Sequence, residues 1–295
     1  VINDLPIDDR DAGVVAMGGG QLLVSWFTSD TRRYDIAQTY GNHADPQVVQ
    51  RYADAFRRTT PATIDRWLGS WVRTSEDGGD TWGPPLKAPV TAPHGPVWLS
   101  DQGVLLYLGK VFTHPREKAV QAWRSADYGE SWRLLGTVPI APGTVAEHYH
   151  EPHVVALQSG RLLGLIRVQD HGDAPKLAAA GIPHFSMVQT MSDDGGRTWS
   201  VPQPLGFHGS PPHILCHSSG ALVTVYGYRL APYGERAMVS RDNGTSWDAG
   251  YLLRDDGPDS DLGYPAGVEL GDGSIFTVYY QKRAIGEPCS LLWSR

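Results

Sequence analysis

Cysteine is nearly absent. The 295 residues hold only Cys216 and Cys289, too few for a disulfide framework or a cysteine-based metal centre. Long apolar runs are missing too, and no stretch approaches the roughly 20 residues that a membrane-spanning helix needs. Positive charge is scarce: 25 Lys and Arg stand against 32 Asp and Glu, a net charge of -7. That balance excludes the broad cationic face of a nucleic-acid binder. It leaves room for a small anionic ligand, because a few convergent cations make a local positive pocket in an acidic protein. No signal peptide is recognisable. The chain opens on Val1 rather than Met, so compartment and upstream sequence stay open.

Turn-formers and aromatics are plentiful, with 34 Gly, 22 Pro, 10 Trp and 13 Tyr. That mixture suits many short strands, not a helical bundle. One eight-residue pattern, S-x-D-x-G-x-[ST]-W, occurs four times, at Ser75–Trp82, Ser125–Trp132, Ser192–Trp199 and Ser240–Trp247. It reads as a hairpin turn. The Asp accepts bonds from following backbone N–H groups, the Gly permits positive φ, and the Trp packs the turn onto its neighbours. Its Asp residues are therefore structural and poor catalytic candidates.

Between these boxes lie five hairpins, each with a glycine before its second strand: Gly20, Gly103, Gly160, Gly220 and Gly273. The third is the plainest. His148–Arg167 runs as an alternating strand over Val154 to Leu157, turns at Gln158-Ser159-Gly160 and returns over Leu162 to Ile166. Such a hairpin brings Glu151 and Arg167 to one edge. Repeated small sheets at this spacing predict an all-β propeller of four-stranded blades, one domain over residues 1–295. Strand a starts near the axis, b returns, c and d run outward, and the box sits at the c–d turn.

Five blades are visible. Val1–Pro6 reads as an outer strand that could complete the last blade and close a ring of five; a further opening blade would make six. Residues 30–69 interrupt the first blade on the channel face. Asp45-Pro46 makes a helix start there, with Val48, Val49, Tyr52 and Phe56 at helical spacing. The insertion is either a lid or a packed decoration.

Aligned on the five glycines, the residues nine positions back are Asp11, His94, Glu151, Pro211 and Tyr264. Seven to nine positions forward stand Lys110, Arg167, Arg229 and Lys282. In a propeller both sets surround one mouth of the channel. The result is a ring of acids, a His and a Tyr beside several cations, the makings of a site for a small anion with ionisable groups at hand. Asp9, Arg10, His150, His153 and His213 lie close by. The His residues come from three blades without ligand spacing, so no metal and no cofactor is expected.

The four boxes resemble the Asp-boxes (BNR repeats) of the sialidase superfamily, whose members are β-propellers. The resemblance covers most of the chain and favours six blades in the whole protein. Around Glu151 it is more specific: E-P-H-V-V-A-L-Q-S-G-R-L is similar to the hairpin that a Glu opens in exo-sialidases, ending in an Arg that binds the substrate carboxylate. The resemblance implies removal of a terminal acidic sugar with retention. Arg167 and Arg229 would hold the carboxylate, Tyr264 would attack and Glu151 would take its proton. From their spacing, not from the resemblance, Lys110, Arg10, His150 and His153 would line the same site. The family's first Arg, in an Arg-Ile-Pro motif, has no match here, and Arg10-Asp11 is a distant echo. The acid is then Asp11 or Asp35. Two alternatives stand beside this reading. One is a propeller acting on uronate- or rhamnose-containing polysaccharide with His94 or a neighbouring His as acid/base. The other is a non-catalytic sugar-binding propeller.

Overall fold

A computed structural model describes residues 2–5, 7–30, 46–111, 118–172 and 174–295. Asp35 lies outside the described residues, as do Val1, Pro6 and the first part of the insertion. The chain builds five antiparallel sheets in sequence order. The first is β1 (Asp8–Gly18), β2 (Gln21–Ser29), β3 (Gly69–Ser75) and β4 (Leu86–Ala88). The second is β5 (Val97–Leu99), β6 (Val104–Lys110), β7 (Val120–Ser125) and β8 (Arg133–Thr137). The third is β9 (Tyr149–Ala156), β10 (Leu162–Val168), β11 (Ser186–Ser192) and β12 (Gln203–His208). The fourth is β13 (Pro212–Cys216), β14 (Leu222–Tyr228), β15 (Tyr233–Ser240) and β16 (Asp248–Gly257). The fifth has three strands, β17 (Leu262–Glu269), β18 (Ile275–Gln281) and β19 (Ser290–Ser294).

This is the expected propeller of small sheets, with one correction. Residues 2–5 form no strand and do not complete the fifth sheet. Ile2 instead packs against Val24, Trp26 and Trp71 of the first sheet, where its apolar side chain finds cover. Val14, Val268, Leu291 and Trp293 of the first and last sheets are exposed.

The second strand of each blade explains the packing. β6 reads VLLYLGK and β10 reads LLGLIRV, and nearly every residue in them is buried. A strand covered on both faces by neighbouring sheets needs a continuous apolar run, not an alternating one. Leu23, Val72, Leu105 and Tyr107 join the first and second blades. Leu106, Leu108, Val154 and Ile166 join the second and third, and Leu165, Met187, Ile214 and Met238 the third and fourth. Burying a Leu or Ile in such a seam contributes about 1.5–3 kcal/mol.

The five hairpin glycines all have positive φ, between 62° and 88°, which only glycine adopts cheaply. The boxes close as the sequence implies. In the first, the Ser75 hydroxyl donates to Asp77 Oδ1 at 2.8 Å, Thr81 N–H donates to the same oxygen at 2.9 Å, and Trp82 Nε1 donates to Gly79 O at 3.0 Å. The other three repeat the Ser–Asp and backbone bonds. Only the fourth Trp differs, its Nε1 reaching Gln189 of the neighbouring blade at 2.8 Å. Hydrogen bonds from Thr81, Thr198 and Ser246 and their backbones hold Asp77, Asp194 and Asp242 down to about 2. These carboxylates are spent on turn structure.

In the insertion, α1 (Pro46–Arg58) starts on the expected proline and α2 (Pro61–Trp67) follows. Thr60 caps α2, its hydroxyl accepting from Thr63 N–H at 3.1 Å. Trp67 O at its end accepts from Trp71 Nε1 at 2.8 Å, which ties the insertion to β3.

Candidate active site

The site residues sit where the inner hairpins break register. The β1–β2 ladder shifts between Arg10 and Gly13, the β9–β10 ladder between Ile166 and Val168, and the β17–β18 ladder between Gly263 and Ala266. Asp11, Arg167 and Tyr264 fall at these three irregularities. A bulge kinks a strand and re-aims a side chain that the pleat would have sent elsewhere. Asp11 and Tyr264 pay in backbone strain, with φ of 53° and 52°, and Phe185 before β11 has φ of 50°. The other described non-glycine residues with positive φ, Tyr128 and Asn243, lie in box turns. Left-handed conformations cost about 1–3 kcal/mol each and cluster at functional sites. Gly13 lets the first blade close up, since a Cβ there would lie 2.4 Å from the His94 carbonyl carbon.

At the centre, the Tyr264 hydroxyl donates to Glu151 Oε1 at 2.7 Å. Arg167 Nη1 donates to Glu151 Oε2 at 2.8 Å and to the Tyr264 oxygen at 3.2 Å. Arg167 Nη2 donates to Gln169 Oε1. Arg167 is only 6% exposed, so these bonds are shielded from competing water. Phe185 lies under both guanidinium groups, its ring centroid 5.2 Å from Arg167 Cζ and 5.6 Å from Arg229 Cζ. Arg229 also stands 5.7 Å from the Tyr264 ring.

Burial, and then the negative charge of Glu151, pushes the Asp11 carboxyl up to about 7. The same two causes raise Tyr264 well above the ordinary phenol, so it rests as a neutral hydroxyl. Burial pulls Lys110 down to about 8, and its ammonium donates to the Tyr149 carbonyl.

Of the remaining candidates, Arg10 and Lys282 pair elsewhere, and His150 borders the cluster. Arg10 is exposed and pairs with Asp8. His150 lies near Lys110 and Arg167, its Nε2 enclosed without a partner, and burial takes it down to about 2. Lys282 pairs with Asp259 at 2.9 Å and Asp261 at 3.3 Å.

His94, His153 and His213 form a stack of their own, with ring centroids 4.6–4.9 Å apart. Ile214 N–H donates to His153 Nδ1 at 3.0 Å, and Gly267 N–H donates to His213 Nδ1 at 3.3 Å. These two rings thus serve the inner strand of the next blade. A nitrogen that accepts carries no proton, so the proton of both rings sits on Nε2, and neither offers a lone pair to a cation. Among the described residues no group of three His, Cys, Asp or Glu is placed to hold a metal ion.

The stack predicts acid lability. Burial lowers His213 to about 4 and lowers His94 and His153 well below 6.5. Below the unfolded value of about 6.5 the unfolded chain takes up protons that the folded rings refuse, so stability falls with pH. Above that value the rings contribute no pH dependence. For His213 alone the loss approaches 3 kcal/mol at pH 4, from about 1.4 kcal/mol per unit. The urea midpoint should be flat in this respect above pH 7 and fall between pH 6.5 and 4. His213→Asn should flatten that fall, and an unchanged slope would refute the assignment.

Three residues escaped the sequence reading. Gln169 stands nine positions after Gly160, the same offset as Arg229 after Gly220, so reading that offset in every blade finds it. Glu235 is a lone acid in a buried strand. Phe185 carries no spacing signal.

Residues 71–280 match the family model described as a BNR repeat-like domain. A xyloglucanase from Paenibacillus sp is 29% identical over 123 residues, covering 38% of this chain and 11% of that enzyme. A Dyadobacter fermentans protein of unknown function, known from its crystal structure, matches with a TM-score of 0.72 and 22% identity over 100% of this chain and 78% of its own. Trypanosoma rangeli sialidase in complex with sialic acid matches with a TM-score of 0.61 and 14% identity, over 97% of this chain and 44% of its own. The chain thus spans about a tenth of the xyloglucanase and under half of that sialidase. At these identities the structural likeness is one of fold.

Proposed function

Because the chain belongs to the BNR repeat-like family, we propose that it is a glycoside hydrolase that removes a terminal acidic sugar, sialic acid or a relative, through a tyrosine nucleophile. The observation that carries this reading is the Tyr264–Glu151–Arg167 triangle: a hydroxyl 2.7 Å from a carboxylate that is itself oriented by a buried guanidinium. Nucleophile, base and orienter stand in hydrogen-bond reach of one another. A neutral phenol does not repel an anionic sugar as a carboxylate nucleophile would, and sialidases are the known exception to two-carboxylate glycosidase chemistry.

In the first step the Tyr264 oxygen bonds to the anomeric carbon and its proton passes to Glu151. The glycosidic oxygen leaves with a proton from Asp11. In the second step water attacks the same carbon and gives its proton to Asp11, while the Tyr264 oxygen leaves and recovers its proton from Glu151. Two inversions give retention. Arg167 already donates three of its five protons to Glu151, Tyr264 and Gln169. Its Nε is enclosed, so one Nη2 proton remains for a ligand. Arg229 donates no hydrogen bond to the described residues, and its Nη1 supplies the second bond. The sugar carboxylate is held between them.

The test is release of 4-methylumbelliferone from its sialoside, beside uronide, rhamnoside and neutral hexoside analogues. Turnover of the sialoside alone supports the reading. Turnover of only a uronide, rhamnoside or neutral glycoside overturns it, and silence on all, with sugar bound, makes the protein a binding module.

A further inference from the structure

Glu235 is an acid where the sheet needs none. It lies in β15 with its register partners Gly227 and Arg254 joined through backbone, and it is 0% exposed. Both carboxylate oxygens are enclosed without a hydrogen-bond partner. A leucine would fill the space at lower cost, because an unpaired acid in an apolar interior is expensive. Arg229 is in the matching condition, with Nε and Nη2 enclosed and unpartnered. The two groups meet across one glycine: a Cβ on Gly263 would lie 3.7 Å from Arg229 Nη2 and 3.7 Å from Glu235 Oε1. Gly263 immediately precedes Tyr264. No direct ion pair joins them, so a hydrogen-bonded link between donor and acceptor runs through water. Phe185 and Tyr264 restrict the guanidinium from its sides.

We infer that Glu235 is a positioning residue that holds the inner edge of Arg229, so that Nη1 faces an anionic ligand. Burial raises the Glu235 carboxyl well above the ordinary carboxylate range, and Arg229 is the one charged group that pulls it back. The pairing costs fold stability and contributes ligand orientation, so its removal separates the two. What Arg229 binds rests on the acidic-sugar reading; the pairing itself does not.

The experiment titrates free N-acetylneuraminic acid into wild type, Glu235→Leu, Glu235→Gln, Arg229→Met and the Arg229→Met/Glu235→Leu double variant, with a thermal melt of each. Glu235→Leu should melt at or above the wild-type temperature and bind about tenfold more weakly, the worth of one lost charge-assisted orientation. Glu235→Gln, which keeps shape and one acceptor, should bind about threefold more weakly. Adding Glu235→Leu to Arg229→Met should weaken binding no further. Wild-type affinity in Glu235→Leu, or a loss that persists undiminished without Arg229, overturns the inference. If wild type binds no sialic acid, the acidic-sugar reading fails and the melts decide the pairing. Glu235→Leu should then raise the melting temperature more in the Arg229→Met background, where the acid has lost its cation. Equal shifts in both backgrounds overturn it.

Discussion

Replacing Tyr264 with Phe should abolish sialoside turnover, lowering kcat by on the order of a thousandfold or more while leaving ligand binding largely intact. The ring stays, and with it the face against Arg229. What goes is the attacking oxygen, for which no other side chain of the cluster substitutes at the same place. The fold should tolerate the change. Glu151 and Arg167 remain paired at 2.8 Å without the hydroxyl, so the cost is about 1 kcal/mol for the lost bonds. Steady-state kinetics on the fluorogenic sialoside, with calorimetric binding of the free sugar, separates the two effects. A Tyr264→Phe protein retaining a tenth or more of wild-type kcat would show that Tyr264 is not the nucleophile.

Asp11→Asn carries the second large effect. A general acid supplies about 10²–10⁴ in rate, and the group must be protonated to act. Asp11 titrates at about 7, so activity that depends on it is present below that pH and lost as pH rises through it. The wild-type rate on a natural glycan should therefore show an alkaline limb near pH 7. In Asp11→Asn the rate on that glycan should drop a hundredfold or more and the limb should vanish. The loss should be smaller on 4-methylumbelliferyl sialoside, whose phenolic leaving group departs without full protonation. Equal losses on both substrates, or an unchanged alkaline limb, would move the acid elsewhere; Asp35 is the next candidate.

Sequence spacing alone brought Asp11, Glu151, Arg167, Arg229 and Tyr264 to one place, because a blade repeats its geometry and a glycine marks the same turn in each copy. The offsets that found them carry no information about where a strand bulges. The strain at Asp11 and Tyr264, and the bends that aim them, were therefore invisible. His94 and Arg10 show the limit of counting. His94 shares its offset with Glu151, yet it is buried against His153 and His213 rather than beside the acids. Arg10 adjoins Asp11 and spends its charge on Asp8 at the surface. Glu235 and Phe185 come from the third strand and its approach, where no turn glycine fixes the count. The N-terminal stretch misled for a simpler reason: Ile2 and Leu5 look like strand residues, and burial of Ile2 against the tryptophans of the first blade outweighs strand pairing.

Trapping the bond between Tyr264 and the sugar is the most direct test of the tyrosine mechanism. A sialic acid bearing fluorine at the anomeric carbon and at its neighbour reacts at the first step, because fluoride leaves readily. It stalls at the second, because the remaining fluorine disfavours the cationic transition state. Peptide mass spectrometry after brief incubation should place the sugar adduct on the peptide holding Tyr264, with none in Tyr264→Phe. An adduct on the peptide of Asp11 or Glu151, or turnover of the sialoside with no adduct formed, would contradict the tyrosine mechanism.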